Sequence, residues 1–483
     1  MSQQDIARGK ARGRRRALQT LAALAGATLR LASAKVAATP LAGSRSKEAS
    51  GRRITQLIGA NGWPGTPDDI AMWHNMGITW GRDSVGPGQP GSASDEMRVD
   101  RTGTRYDRDL APVILSNNRN GIHSLLLLGY TPKWNASLAD DTKSAPVDVE
   151  AWKRYVDAVV REYSAPPFNV RYFQIWNEAA GRLSGGLPQA TFWHGPNFNT
   201  DKDRSGPYDH AMEDYVERIH IPAARIIRSY RAYVVYGGWP DQGGLESFNK
   251  WLEYRSPVVK ERMLDWVDYI DTHYLAVHDL DPLYERYVKN GPALGIWQTE
   301  IGDRYMEDPH YLPRYFFDFA VWALERNWDE PNKYVSMIYH WDGYEPFRLT
   351  HRGPPKRTYN VSGKALIVLR QTVPGALARF SKPIIFGADA SGSALLSDND
   401  MVLQVSATPG WRTVSVTGIR PPSSRAEITF IDALTGASAP PSDAILAWND
   451  QAMNIRFKVP DSVNGPAQKP PKHLAYIVVR SRG

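Results

Sequence analysis

Two glutamates close two similar stretches of this chain. VRYFQIWNE, residues 170 to 178, and ALGIWQTE, residues 293 to 300, both begin as partly apolar alternating runs and end on polar side chains, the last of them Glu178 and Glu300. An ordinary buried strand is bounded by turn residues. A strand that delivers an amide and an acid at its C-terminal end sets them where a barrel displays its chemistry. If both runs are parallel strands of one barrel, the acids share a mouth despite the 122 residues between them. Carboxylates facing each other there can divide glycoside cleavage, one protonating the leaving oxygen while the other attacks the anomeric carbon. A gap of about 5 to 5.5 Å gives retention of configuration, whereas roughly 6.5 to 9.5 Å admits an attacking water and gives inversion.

The elements that must position these acids repeat along the chain. Candidate strands are ITQLIGA at 54 to 60, MGITWGR at 76 to 82, GIHSLLLLG at 121 to 129 and VRYFQIWN at 170 to 177. AYVVYGG at 232 to 238, VDYIDTHYL at 267 to 275, ALGIWQTE at 293 to 300 and YVSMIYHW at 334 to 341 bring the number to the eight that a closed parallel barrel requires. Between them lie amphipathic segments. After Asp148, the residues Trp152, Tyr155, Val156, Val159, Val160 and Tyr163 recur at helical spacing, as do Met212, Tyr215, Val216 and Ile219. Tyr315 to Trp322 predicts another apolar helix, and Val361 to Gln371 the last. From about residue 376 short β-prone runs take over, among them PIIFGAD, MVLQVSA, WRTVSVTGI, AEITFIDA, MNIRFKVP and LAYIVVR. The expected fold is α/β, a (β/α)8 TIM barrel followed by a small all-β sandwich. Without a cluster of acids, amides and aromatics, the sandwich reads as a structural module packed beside the barrel.

Other residues fall at the same mouth. Arg82 ends the second strand, where a charge-assisted bond would hold Glu300 ionised. His273 and Tyr274 end the sixth; Tyr274 is expected to reach Glu300 with its hydroxyl and His273 to position substrate. Trp63, Trp134 and Trp193 form a second tier of substrate contacts, weakened by the presence of 16 tryptophans in the chain. The segment between Glu178 and Met212 exceeds an ordinary barrel connection and is expected to form a wall or lid, with Phe192, Trp193 and His194 setting a subsite or pinning the loop.

Trp176-Asn177-Glu178 after strand four, with Gln298-Thr299-Glu300 at the end of strand seven, resemble the clan A retaining glycoside hydrolases over roughly residues 54 to 371. LLLGYTPKW at 126 to 134 and the attached β module are most similar to glycoside hydrolase family 39, which includes β-xylosidases and bacterial exopolysaccharide hydrolases. The resemblance implies Glu178 as acid/base, Glu300 as nucleophile, Asn177 as donor to the sugar 2-hydroxyl and Trp341 as a sugar-stacking ring. It also implies a β-linked oligo- or polysaccharide substrate and no cofactor. A transglycosylase would share the covalent intermediate. A noncatalytic carbohydrate-binding barrel is the alternative of a different class, and it gives no reason for acids at both strand ends.

Bulk properties agree with one barrel and a small module, for which 483 residues suffice. Residues 1 to 34 have a basic head, an apolar middle from Ala17 to Leu29 and a small-residue end, so they read as an export signal. Arg14, Arg15 and Arg16 give it a loose resemblance to a bacterial twin-arginine leader. Closed off by Arg30, the uncharged run is too short to favour a membrane span. The leader carries +6 of the formal +7, leaving about +1 on a mature chain and no charge argument for nucleic acid or a membrane surface. The expected organisation is leader 1–34, linker 35–52, barrel 53–375 and sandwich 376–483, in a secreted or periplasmic bacterial protein of open oligomeric state. The absence of cysteine excludes thiol catalysis and thiolate metal sites. His273, His278 and Asp271 make a poor metal set, and neither a phosphate-cradling glycine motif nor a nucleophile elbow is present.

Overall fold

The computed structural model describes residues 51–85, 110–139, 141–179, 193, 195, 213–238, 244–301, 308–326, 328, 338–340, 349–351, 357–419, 426–449, 451–461 and 472–481. The expected leader, nearly all of the linker, Trp341, Phe192 and His194 lie outside them.

Eight parallel strands close a barrel in sequence order. They are β1 (Ile58–Asn61), β2 (Trp80–Val85), β3 (His123–Leu128), β4 (Tyr172–Ile175), β5 (Tyr233–Val235), β6 (Tyr269–His273), β7 (Gly295–Ile301) and β8 (Ile338–His340). Closure runs through β1, which pairs with β2 on one side and β8 on the other. The helices around the barrel follow local rules. The first, α1 (Pro67–Met76), has Thr66 accepting from Asp69 N at its start, Pro67 in the first turn and Gly77 at φ 79° at its end. The second, α2 (Ala111–Arg119), precedes β3. The third, α3 (Val149–Ser164), is capped by Asp148 and buries all six residues expected on its apolar face. The helix expected from Tyr215 begins as a π-helical segment, Tyr215–His220, and becomes α4 (Ile221–Ser229). Pro222 lacks an N–H, and the wider turn just before it lets Ile221 N donate to Val216 O. Further helices are α5 (Gly244–Glu253), α6 (Tyr311–Glu325) and α7 (Val361–Thr372), and between β6 and β7 a helical turn, Asp281–Leu283, runs into a second π-helical segment, Tyr284–Lys289.

A two-stranded pair, β9 (Thr350–His351) with β10 (Thr358–Tyr359), leads into α7, and two antiparallel sheets follow. One is ordered β11 (Leu377–Arg379), β13 (Ala390–Ser397), β14 (Asp400–Ala407), β19 (His473–Ser481), β16 (Ala426–Asp432). The other is ordered β12 (Ile384–Phe386), β15 (Gly410–Thr417), β18 (Ala452–Val459), β17 (Ala444–Trp448). Six runs stood out in the sequence, and among the described residues nine strands form. ASGSALLS and AILAW become β13 and β17 although small residues weaken their strand signal, because pairing with β14 and β18 decides the outcome.

The five-stranded sheet is buried on both faces. On β14, Leu403 and Val405 join the sandwich core while Val402 joins the barrel core. On β19, Ala475, Ile477 and Val479 face the sandwich, and Leu474, Tyr476 and Val478 face the barrel. Tyr476 meets Phe317 of α6 with ring centroids 5.9 Å apart. Asp318 on the same helix accepts from Ser393 at 2.7 Å and Gln404 at 3.2 Å. Among the described residues, no helix is long and apolar enough to cross a membrane.

Candidate active site

Residues two apart on a strand point to the same side, so the barrel interior is built in storeys. The lower storey is aromatic: Trp80, Tyr172, Tyr269 and Trp297 touch with ring centroids between 5.1 and 5.9 Å apart. Two residues further along the same strands stand Arg82, Gln174, Asp271 and Thr299, all buried. Here the contacts are polar. Arg82 Nε donates to Gln174 Oε1 at 2.6 Å, and Gln174 Nε2 donates to Asp271 Oδ2 at 2.5 Å. Thr299 gives Asp271 both its N–H, at 2.9 Å, and its hydroxyl, at 2.6 Å.

The acids stand above this layer, delivered by local irregularities. Opposite β6, the register of β7 shifts between Gln298 and Glu300, so Glu300 follows Thr299 into the mouth instead of alternating away. At the end of β4, Trp176 and Glu178 have φ of 63° and 45°, and at the end of β6 Tyr274 has φ of 60°. Non-glycine residues seldom adopt such angles, and here they cluster where side chains are re-aimed. Two glycines after β5 make the room. A Cβ on Gly237 would come within 2.4 Å of Ile175 O, and one on Gly238 within 2.2 Å of His273 Nε2.

Arg82 grips Glu300 Oε1 through Nη1 at 2.9 Å, as expected, and Asn177 Oδ1 through Nη2 at 2.6 Å. Because a guanidinium only donates, the oxygen of Asn177 must face it, which turns the amide nitrogen toward the Tyr130 hydroxyl. Tyr274 donates its hydroxyl to Glu300 Oε2 at 2.9 Å and is 36% exposed, so it also reaches the open mouth. His273 departs from expectation. It is wholly buried, with Nδ1 2.6 Å from Glu178 Oε1 and 3.7 Å from Glu300 Oε2, and Nε2 2.9 Å from Thr299 Oγ1. It therefore lies beneath the acids, bonded to Glu178 and Thr299, with no surface open to the mouth. Glycine at 238 lets its ring fit beneath them.

Burial raises the pKa of Glu178; hydrogen bonding and charge from His273 oppose that rise, and the Glu300 charge adds to it. For Glu300, burial pulls upward but His273, Arg82 and Tyr274 together outweigh it and leave the carboxyl below its ordinary range. Burial acts to lower His273, yet Glu300, Asp271 and Glu178 push it up to about 10. The same few groups thus drive the two glutamates apart, one toward holding a proton and one toward losing it.

One ligand atom each from Glu178, His273 and Glu300 lie within 4.8 Å of one another, which is close enough to suggest a metal. The Arg82 guanidinium bound to Glu300 makes that a poor cation site. His278, 83% exposed and beside Asp279, takes no part in the buried cluster.

The tryptophans divide. Trp193 is buried against Trp176 and Tyr215, with centroids 5.2 and 5.6 Å away, so it is a core residue and not a subsite wall. Trp63 is half-buried against the β2 backbone, where a Cβ at Gly81 would come within 2.6 Å of its ring. Trp134 is half-buried in the 3-10 turn Lys133–Asn135 beyond β3. Sequence reading overlooked Asn61, Gln174 and Thr299 as site residues and weighed Asp271 only for metal. Asn61 accepts from Arg82 at 2.7 Å and donates to Thr299 O at 3.0 Å. The signal that could have found the others is the two-residue spacing behind Trp80, Tyr172, Tyr269 and Trp297.

No family model and no curated protein matches the sequence. Among solved structures, a family 39 glycoside hydrolase from Bacteroides cellulosilyticus WH2 is similar at 12% identity and a TM-score of 0.52, over 90% of this chain and 82% of that one. A GH30 endoxylanase from Clostridium papyrosolvens C71 aligns at 14% identity and a TM-score of 0.48, over 90% of this chain and 98% of its own. A family 30 subfamily 8 xylanase from Clostridium acetobutylicum aligns at 12% identity and a TM-score of 0.48, over 89% and 98%. At these identities, the family 39 likeness establishes a shared fold: a parallel barrel with an added all-β domain.

Proposed function

We propose that this chain is a retaining glycoside hydrolase that cleaves a β-linked oligo- or polysaccharide by double displacement. The observation that carries the proposal is the gap between the acids: an oxygen of Glu178 and one of Glu300 lie within 4.8 Å, the close spacing that suits direct attack by a carboxylate. Glu300, kept ionised by Arg82, His273 and Tyr274, attacks the anomeric carbon. The glycosidic C–O bond breaks, an ester to Glu300 forms, and the leaving oxygen takes its proton from Glu178.

Loss of the Glu300 charge prepares the second half of the reaction. Asp271 can only accept, so the Thr299 hydroxyl donates to it and His273 Nε2–H donates to Thr299. That fixes Nδ1 as the nitrogen that shares a proton with Glu178. Once Glu300 is esterified, a negative charge that raised both Glu178 and His273 is gone. Glu178, which has given its proton to the leaving group, then stays ionised and takes the proton of the incoming water, whose oxygen displaces Glu300 and restores its charge. Asn177, with its amide nitrogen turned from Arg82, donates to the sugar 2-hydroxyl.

Time-resolved NMR of the product anomer on a β-linked substrate should show retention, and covalent trapping with peptide mapping should find the sugar on Glu300. Initial inversion, or an adduct on another acid, overturns the mechanism; cleavage confined to α-linked substrates in a glycan panel overturns the linkage. Export is proposed from residues 1 to 34. N-terminal sequencing of the native protein should find them removed, and an intact N-terminus in the cytoplasm rejects export.

A further inference from the structure

The four-stranded sheet of the sandwich turns its apolar side, including Val414, Ile455 and Phe457, toward the other sheet. Alternate residues face outward. That outward face carries exposed apolar side chains, with Ile385 59% exposed, Ile445 46% and Trp411 38%. Arg456 lies over the Trp411 ring, 4.6 Å from its centroid. Lys458 stands directly across from Trp411 in the β15–β18 ladder, and Arg456 is the next outward residue of β18, about 7 Å along the strand. Ser415 donates to Asn454 Oδ1 at 2.7 Å, which turns the amide nitrogen of Asn454 away as a donor. On the outward positions of these strands the charged residues are Arg456 and Lys458, and among the described residues neither forms an ion pair.

We propose that this face is a second carbohydrate site, specific for an acidic glycan that carries carboxylates. Ile445, across from Arg456 on β17, and Ile385, across from Ser415 on β12, offer apolar contacts to the C–H faces of successive sugar rings along the face. The indole holds the Arg456 guanidinium against its ring, so that little freedom remains to be lost when its N–H fork takes a carboxylate through two parallel bonds. Lys458 supplies a second charge at a spacing suited to a polymer, and Asn454 a neutral donor to hydroxyls. The five-stranded sheet separates this face from the barrel, so the site is distinct from the mouth. Choosing a glycan over another polyanion rests on the glycosidase reading.

The test is native gel electrophoresis of the full chain carrying Glu300→Gln, which prevents cleavage, in gels containing polygalacturonate or neutral dextran. Polygalacturonate should retard the protein more than dextran does. Trp411→Ala, and separately Arg456→Ser with Lys458→Ser, should each weaken that retardation about tenfold in apparent Kd. Lys153→Ser with Lys289→Ser removes the same charge from exposed barrel helices and should leave it unchanged. Absent retardation, retardation indifferent to Trp411→Ala, or equal loss in the barrel control overturns the site. Tighter binding of a single-stranded DNA oligonucleotide assigns the face to nucleic acid instead. A dimer seen by light scattering, lost in Trp411→Ala and unaccompanied by retardation, assigns it to a second copy of the chain. Cleavage of a small aryl glycoside by otherwise wild-type protein carrying the sandwich substitutions tests the mouth separately, and its failure would leave the gel result intact.

Discussion

The two storeys of the barrel interior come from the same four strands and stand two residues apart, yet they share almost no chemistry. Trp80 and Arg82, Tyr172 and Gln174, Tyr269 and Asp271, and Trp297 and Thr299 are successive inward positions. Below, rings meet at edges and tilts, and the layer seals the barrel with apolar area. Above, Arg82, Asp271 and Thr299 bond one another directly or through Gln174. A buried polar layer is tolerable only when its members satisfy one another, and the low dielectric that makes a missing partner costly also strengthens each bond made. The lower storey thus supplies stability, and the upper supplies fixed charge for the acids above it.

Substitutions can break or sharpen that division. The largest effect belongs above it: Glu300→Gln should lower kcat/KM on the order of 10⁴-fold or more while leaving the thermal midpoint within a few degrees. An enzyme of near-normal activity would detach the upper storey from chemistry. Glu178→Ala should cost about 10²- to 10⁴-fold on a substrate with a poor leaving group and much less on an activated aryl glycoside. Azide should then yield a retained product; equal losses on both substrates would remove Glu178 from the acid role. In the lower storey, Trp297→Ala should cost about 3–5 kcal/mol in denaturant titration, with the molecules that remain folded still active. Full stability with lost turnover would contradict the division.

The smallest effect is a pH slope. His273 has a folded pKa raised to about 10 from an ordinary value of 6.5. Its protonation therefore stabilises the fold fully below 6.5, and that contribution fades as pH rises through 10. Melting followed across this window should decline by a few degrees more in wild type than in His273→Gln. Parallel curves would mean that the buried imidazole carries no such charge.

Much of this was legible because the strands alternate and the acids end them. Glu178, Glu300, Arg82 and Tyr274 fall where the strand count put them, because parallel strands of one barrel share an end. What a linear pattern does not encode is which polar residue faces inward across the barrel. Gln174 reads as an ordinary strand residue, and Asp271 as no more than a member of a poor metal set, until strands two, four, six and seven are brought together. Nor does it encode the register shift at Glu300, since strict alternation would have turned that side chain outward. Trp193 misled for the opposite reason: a ring beside a functional loop looks like a contact for sugar, and only burial against Trp176 and Tyr215 makes it a core residue.

The doubly buried five-stranded sheet has a consequence for inheritance. A module joined by a tether can be traded between proteins by recombination at the tether, but this one shares its middle layer with the barrel through Tyr476, Phe317 and Asp318. A chain cut after Thr372 would bare one flank of α6 to water. An exchange that replaced the sandwich would have to bring a matching α6 with it, so the unit free to move through evolution is larger than the sandwich itself.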